Sequence, residues 1–521
     1  MNVVNRLPGT VEPYERHPED VQIWAEQQVW GHRFMNDQTP WYLLLEALGI
    51  MAHRAADRNV DQVFPGPSGG RDARFSYDMN LNHALRTVLF VDRHIDEIAS
   101  SDLYITDASK WARWFEMMGK GGEGERRFGY LRERFTKFAA FRNAVDLLRS
   151  AEVESSAKRP TSRHLAPRGP ALLSADFGEK KGNKVNKDRR FFSRGGELFY
   201  LMLNRSAQAR SLEEPVRNRL LSDGSRWNAL AKVFDPPVEE EKVSFDGLGY
   251  LPLDSHRAYD LAGADWLALL SLGGLPDDNL PEPLMRLSGL AVVRYVIERA
   301  AAVAGRDAPP IPLDMVSSST VAVQKISKDC YRQHRDMTRT AIEKLVLDSA
   351  ADPAWLASLG DANRVRSAKQ YMAARFSVDP DEFGQMDPVE YPAHLAREAI
   401  DNHDQHLGRV LGVYSERVGM AVARRGSGRW YAAADGLLEA LVLSNVTVPV
   451  ELETFLDLLW ERYRFVVGTD VARKAFGSAN YAQFKANQRL LEDRLRILGL
   501  LNRLSDDCAF VRNPFYQGGS A

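Results

Sequence analysis

The chain has 521 residues, is 44% hydrophobic and 26% charged, and carries 68 Lys and Arg against 70 Asp and Glu. This is the composition of a globular protein of roughly two to four domains, and it excludes a globally basic nucleic-acid binder, so that any nucleic-acid surface has to be a local patch. Only two cysteines, Cys330 and Cys508, are present, which excludes a disulfide framework or a Cys-rich zinc site and suits a reducing cytoplasm.

The opening "MNVVNRLPGTVEPYERHPED" lacks the apolar core of a signal peptide, and no apolar run is long enough to span a bilayer. The expectation is a soluble, cytoplasmic protein with no membrane contact. The first strong helix signal is "NDQTPWYLLLEALGIMAHRAADR" (36–58), where Thr39 caps and Pro40 takes the first helical position. A second helix is expected over 78–100, after the Gly/Pro stretch "FPGPSGGRD". A third is expected over 126–150, with Phe128, Leu131, Phe135, Phe138, Arg142 and Val145 at helical spacing. Between them "GKGGEGE" (119–125) is Gly-rich but lacks the Lys-Ser/Thr ending of a P-loop, and reads as a flexible loop. These elements make an N-terminal helical domain over 1–155.

Residues 156–194 show no apolar period and read as a basic loop or linker, exposed and open to trypsin in the absence of a partner. Eleven Lys and Arg stand there against three carboxylates, a local charge of +8. The stretch "RRFFSRGGELFYLMLNRS" (189–206) then turns abruptly into an apolar helix. Ser193 is placed to cap that helix, and Gly195 and Gly196 leave its first N–H groups unobstructed. Lys180, Lys181, Lys184, Lys187, Arg189, Arg190, Ser193 and Arg194 therefore form a candidate phosphate or nucleic-acid site. The competing reading is that the glycines serve close packing and the arginines pair with acidic residues such as those at 239–241.

A central helical region is expected over 195–425, with helices around 265–272, 281–305, 332–348 and 390–424. Within the last, "REAIDNHDQH" (397–406) holds Asp401, His403, Asp404 and His406. His403 and His406 share a helical face, which is half a metal site, and Arg397 and His403 fit a loose spacing seen in HEPN-type ribonucleases. Solvated helix surface is the alternative. No GxSxG elbow, HExxH or P-loop occurs, and the sequence calls for no cofactor and no catalytic residue.

The C-terminal region, 426–521, carries the clearest fold signal. Helices are expected at 428–446, 451–467 and 480–498, followed by two short strands around "SDDC". This is the pattern of a winged helix, with 480–498 as recognition helix and Lys485 and Arg489 as phosphate-binding candidates. Arg494 and Arg496 lie on the same helix, and Glu492 and Asp493 interrupt the basic run, which leaves a protein-docking wing as the other reading.

Three stretches, "GHRFMNDQTPWYLLLEALG" (31–49), "DRRFFSRGGELFYLMLNRS" (188–206) and "RLRILGLLNRLSDDCAFVRNPF" (494–515), together resemble an accessory protein of multi-gene bacterial anti-phage systems, of the methylation-associated defence type. A phosphorothioation-dependent restriction component is similar. The resemblance implies a mainly α, multi-domain, non-catalytic subunit that binds DNA, a partner ATPase or both. In such systems other subunits supply methyltransferase, ATPase and nuclease functions. A HEPN-like or metal-dependent nuclease effector and a purely structural scaffold remain as alternatives.

Overall fold

The computed structural model describes residues 7, 10, 21–31, 39–56, 62–66, 76–80, 85–90, 92–153, 161–165, 178–180, 184–186, 195–235, 242–246, 251–477, 481–505 and 508–516. Statements about the structure concern these residues. The protein is mainly helical, with short strands in small two- and three-stranded sheets. Among the described residues no helix is long and apolar enough to cross a membrane.

The organising element is the helix Pro281–Ala304, which is buried on nearly every face. It carries five charged residues, yet a helix buried to this extent has to be enclosed by others. Helices Val21–Trp30, Pro40–Ala56, Arg257–Leu270, Val321–Leu347, Leu407–Val418 and Asp435–Asn445 all pack against it. Hydrogen bonds fix the first of these in place. Trp30 Nε1 donates to Val296 O at 3.0 Å, and Tyr295 Oη donates to Trp30 O at 3.0 Å.

The expected helix at 36–58 is Pro40–Ala56, and Leu43 N donates to the backbone oxygen of Thr39 at 3.0 Å. The helix expected over 78–100 is instead three elements. Ser76–Asn80 is a strand paired antiparallel with Lys242–Asp246, and two short helices follow, Leu85–Phe90 and His94–Ser100. Asp92 forces the second start, accepting from His94 N at 2.9 Å and from Trp114 Nε1 at 2.8 Å.

The helix expected over 126–150 is also broken, into Glu123–Arg134 and Phe138–Ser150. Asp107 Oδ1 accepts from Phe138 N at 2.9 Å and starts the second helix. Both halves feed one aromatic cluster, where Trp111, Trp114, Phe128, Phe135, Phe138 and Phe141 meet Phe234. Arg142, expected on the same stripe, lies at the surface and donates to Asp96 at 2.8 Å. The "GKGGEGE" stretch is a tight helix–helix turn, with a 3-10 turn at Lys120–Gly122. A Cβ on Gly124 would lie 2.0 Å from Phe115 O, so the two helices cross there at a distance only glycine permits.

Helices Arg257–Leu270, Val321–Leu347, Tyr391–Gln405 and Leu407–Val418 account for the expected central elements. The expected helix at 428–446 begins as a strand. Gly428–Tyr431 pairs with Ala421–Arg424, and only Asp435–Asn445 is helical. This hairpin spans the expected domain boundary at 425/426. Trp430 Nε1 donates to buried Asp314 at 2.9 Å and Ser327 Oγ donates to Tyr431 O at 2.8 Å, so the apolar core runs across that position.

Candidate nucleic-acid interface

The C-terminal unit is built around the helix Phe484–Ile497. Phe484, Asn487, Leu491 and Leu495 recur at three- and four-residue spacing and form its buried face. A three-stranded antiparallel sheet lies beside it, in the order Val450–Glu451, Cys508–Val511, Leu501–Ser505. The hairpin strands fall where the sequence placed them. The short strand at Val450–Glu451 carries no sequence signal, because two residues cannot show alternation.

Buried polar contacts hold this unit to the central helices. Asn487 Nδ2 donates to Leu313 O at 2.9 Å and to Val467 O at 3.1 Å, while its Oδ1 accepts from Met315 N at 2.8 Å. Strand Phe465–Val466 pairs in parallel with Ile311–Pro312. Buried Asp265 accepts from Arg462 and from Tyr463 Oη. The helix is thus rigidly mounted, which a phosphate-positioning element requires.

The outward face carries the cations. Lys485 and Arg489, one turn apart, are exposed, and neither makes an ion pair or hydrogen bond among the described residues. The carboxylates that interrupt the basic run are engaged by neighbouring cations. Glu492 pairs with Arg503 of the hairpin at 3.3 Å, and Asp493 pairs with Arg496 at 3.2 Å. Arg494 is turned inward and is not available to a ligand. It donates to Asp435 and, at 2.6 Å, to Ala433 O. Ile497 and Leu504, 80% and 74% exposed, give the end of the helix and the hairpin an apolar edge.

The second basic group lies largely outside the described residues. This holds for Lys181, Lys187, Arg189, Arg190, Ser193 and Arg194. Lys180 and Lys184 face each other in the register of a short antiparallel pair, Gly178–Lys180 with Lys184–Asn186. The helix Gly195–Asn204 is buried along its whole length. Its N-terminus already holds an anion from within the chain: Gly196 N donates to the carboxylate of buried Glu46 at 2.6 Å. A Cβ on Gly196 would lie 2.4 Å from Glu46 Cβ and 2.6 Å from Ala47 N. The amide of Gly196, offered by the sequence to phosphate, is therefore committed to packing.

The 397–406 segment does not form an open catalytic pair. Arg397 is exposed and bonds to Ala393 O of its own helix, whereas His403 is 1% exposed. His403 Nε2 lies 2.9 Å from Thr338 Oγ1, its Nδ1 is 3.7 Å from Glu26, and its ring stacks on Trp30 at 5.7 Å. Neither a shared metal face with His406 nor solvated surface describes it; the sequence could not show that Trp30 and Glu26 enclose it. Among the described residues, the group with metal-ligating geometry is Glu382, His394 and Glu398. Burial pushes the Cys330 thiol up to about 12, which leaves it protonated and unreactive. In comparisons with family models, curated proteins and solved structures, none matches this chain.

Proposed function

We propose that this protein is a non-catalytic, DNA-binding subunit of a bacterial anti-phage assembly, and that its C-terminal unit is a winged helix. Helix Asp435–Asn445, strand Val450–Glu451, further helices and a terminal hairpin follow one another in the order that motif requires. Phe484–Ile497 takes the place of the recognition helix and the 501–511 hairpin that of the wing. The observation that carries the reading is the pair Lys485 and Arg489, exposed on a rigid helix whose carboxylates are engaged by neighbouring arginines. Two cations on one face, unpaired among the described residues, attract phosphate regardless of base sequence.

The defence setting rests on the resemblance of the three quoted stretches. Catalysis would then come from partner ATPase, methyltransferase or nuclease chains. The apolar edge at Ile497 and Leu504 favours a protein contact beside the DNA, since such side chains gain by being covered. Titration of the full chain with duplex DNA at several salt concentrations tests the reading. Affinity that falls linearly with salt on a log–log scale is expected. Undetectable or salt-independent binding would leave the chain as a scaffold.

A further inference from the structure

Glu382, His394 and Glu398 bring one ligand atom each within 4.8 Å of one another. His394 and Glu398 sit one turn apart on helix Tyr391–Gln405, the i,i+4 spacing that lets two side chains chelate one ion. Glu382 arrives from the 3-10 turn Pro380–Phe383.

That turn is fixed against the helix. Asp379 accepts from Asp381 N at 2.8 Å and caps the turn. Phe383 is buried and stacks on Tyr391 with ring centroids 4.1 Å apart, in the turn of helix that precedes His394. Lys369 Nζ donates to Gly384 O at 3.1 Å and holds the turn from its other side. The three donors therefore sit on two elements locked together by packing, the support a metal centre needs.

The spacing admits an ion between the donors. His394 Nε2 stands 3.7 Å from Glu398 Oε1, within ion-pair distance but beyond hydrogen-bond reach. Two ligands on a tetrahedral ion, each about 2.0–2.1 Å from it, stand roughly 3.3 Å apart. His394 and Glu398 need to close by only a few tenths of an ångström, and Glu382, within 4.8 Å of both, completes the site by a side-chain adjustment. We propose that Glu382, His394 and Glu398 bind one divalent transition-metal ion, Zn2+ foremost. One imidazole and two carboxylates suit Zn2+, and also Mn2+ or Co2+, whereas Mg2+ prefers an all-oxygen shell. His394 and Glu398 are partly exposed and Glu382 is exposed, which leaves room for water in the remaining position.

The test uses untagged full-length chain, stripped with chelator and titrated with Zn2+ by calorimetry. One ion per chain is expected for the wild type. Loss of a mere outer-shell partner costs roughly 10–100-fold in affinity, so removing a ligand in His394→Gln should weaken binding by at least about 100-fold. Glu398→Gln should weaken it as well. Both positions reach solvent, and an unchanged far-ultraviolet circular dichroism spectrum confirms that each variant is folded. Co2+ added to the wild type should give visible bands of tetrahedral intensity that are lost in His394→Gln. Equal Zn2+ affinity and stoichiometry in the wild type and both folded variants, or no binding by the wild type, would overturn the proposal.

Discussion

His334 shows how a single buried side chain ties stability to pH. Its Nε2 is 2.9 Å from Pro309 O, which can only accept, so Nε2 carries the proton. Nδ1 then accepts from Tyr431 Oη at 2.8 Å. Burial holds the imidazole down to about 4. The unfolded chain takes up a proton near pH 6.5 and the folded chain does not, so the stability contribution is complete above pH 6.5 and is lost as pH falls toward 4. Wild type should therefore lose about 2 kcal/mol more than His334→Gln between pH 7.5 and pH 5. Urea midpoints at both pH values check this, and parallel losses in the two proteins would refute it. Gly196 makes a steric case at the same scale. Gly196→Ala drives a methyl into Glu46 and the backbone of Ala47, at an expected cost of about 2–3 kcal/mol in urea unfolding. A neutral result would mean that the contact relaxes without strain.

At the scale of elements, the Phe484–Ile497 helix depends on Asn487 for its seat. Asn487→Ala leaves Leu313 O, Val467 O and Met315 N without that partner in a buried setting. The expected loss is about 3 kcal/mol or more, read as a lower urea midpoint, and a change below about 1 kcal/mol would contradict the docking account. The sequence revealed this helix and its hairpin because four apolar or small polar positions mark one face and Gly499 ends it. It revealed Pro281–Ala304 as a helix because apolar and small residues run through it with only five charged ones between them. It did not reveal Ser76–Asn80. "SYDMN" alternates polar and apolar over only five residues and runs straight into the helical stretch that follows, and its partner strand Lys242–Asp246 lies far along the chain. Gly428–Tyr431 has the sequence pattern of a helix because its apolar residues run straight into those of the helix that follows. Asp314 and Ser327, which hold that strand in place, are distant in sequence. Of the candidate site, the exposure of Lys485 and Arg489 was legible from helical phase. The pairing of Glu492 with Arg503 was not, since it depends on how the hairpin folds back.

For the whole molecule, a net charge of −2 provides no long-range attraction for DNA, so the proposed interaction has to come from local geometry. The proposed DNA contact lies on the outer face of Phe484–Ile497. The most direct test titrates duplex DNA against the wild type and the double variant Lys485→Ala/Arg489→Ala over a range of salt. Arg113→Ala/Arg127→Ala, which removes equal charge from the N-terminal helices, serves as the control. Each lost phosphate contact lowers the log–log salt slope by roughly one. A slope lower by about two and weaker binding to every sequence are expected for the helix variant, with the control unchanged. Equal slopes and affinities in the wild type and the folded helix variant would contradict the proposed contact.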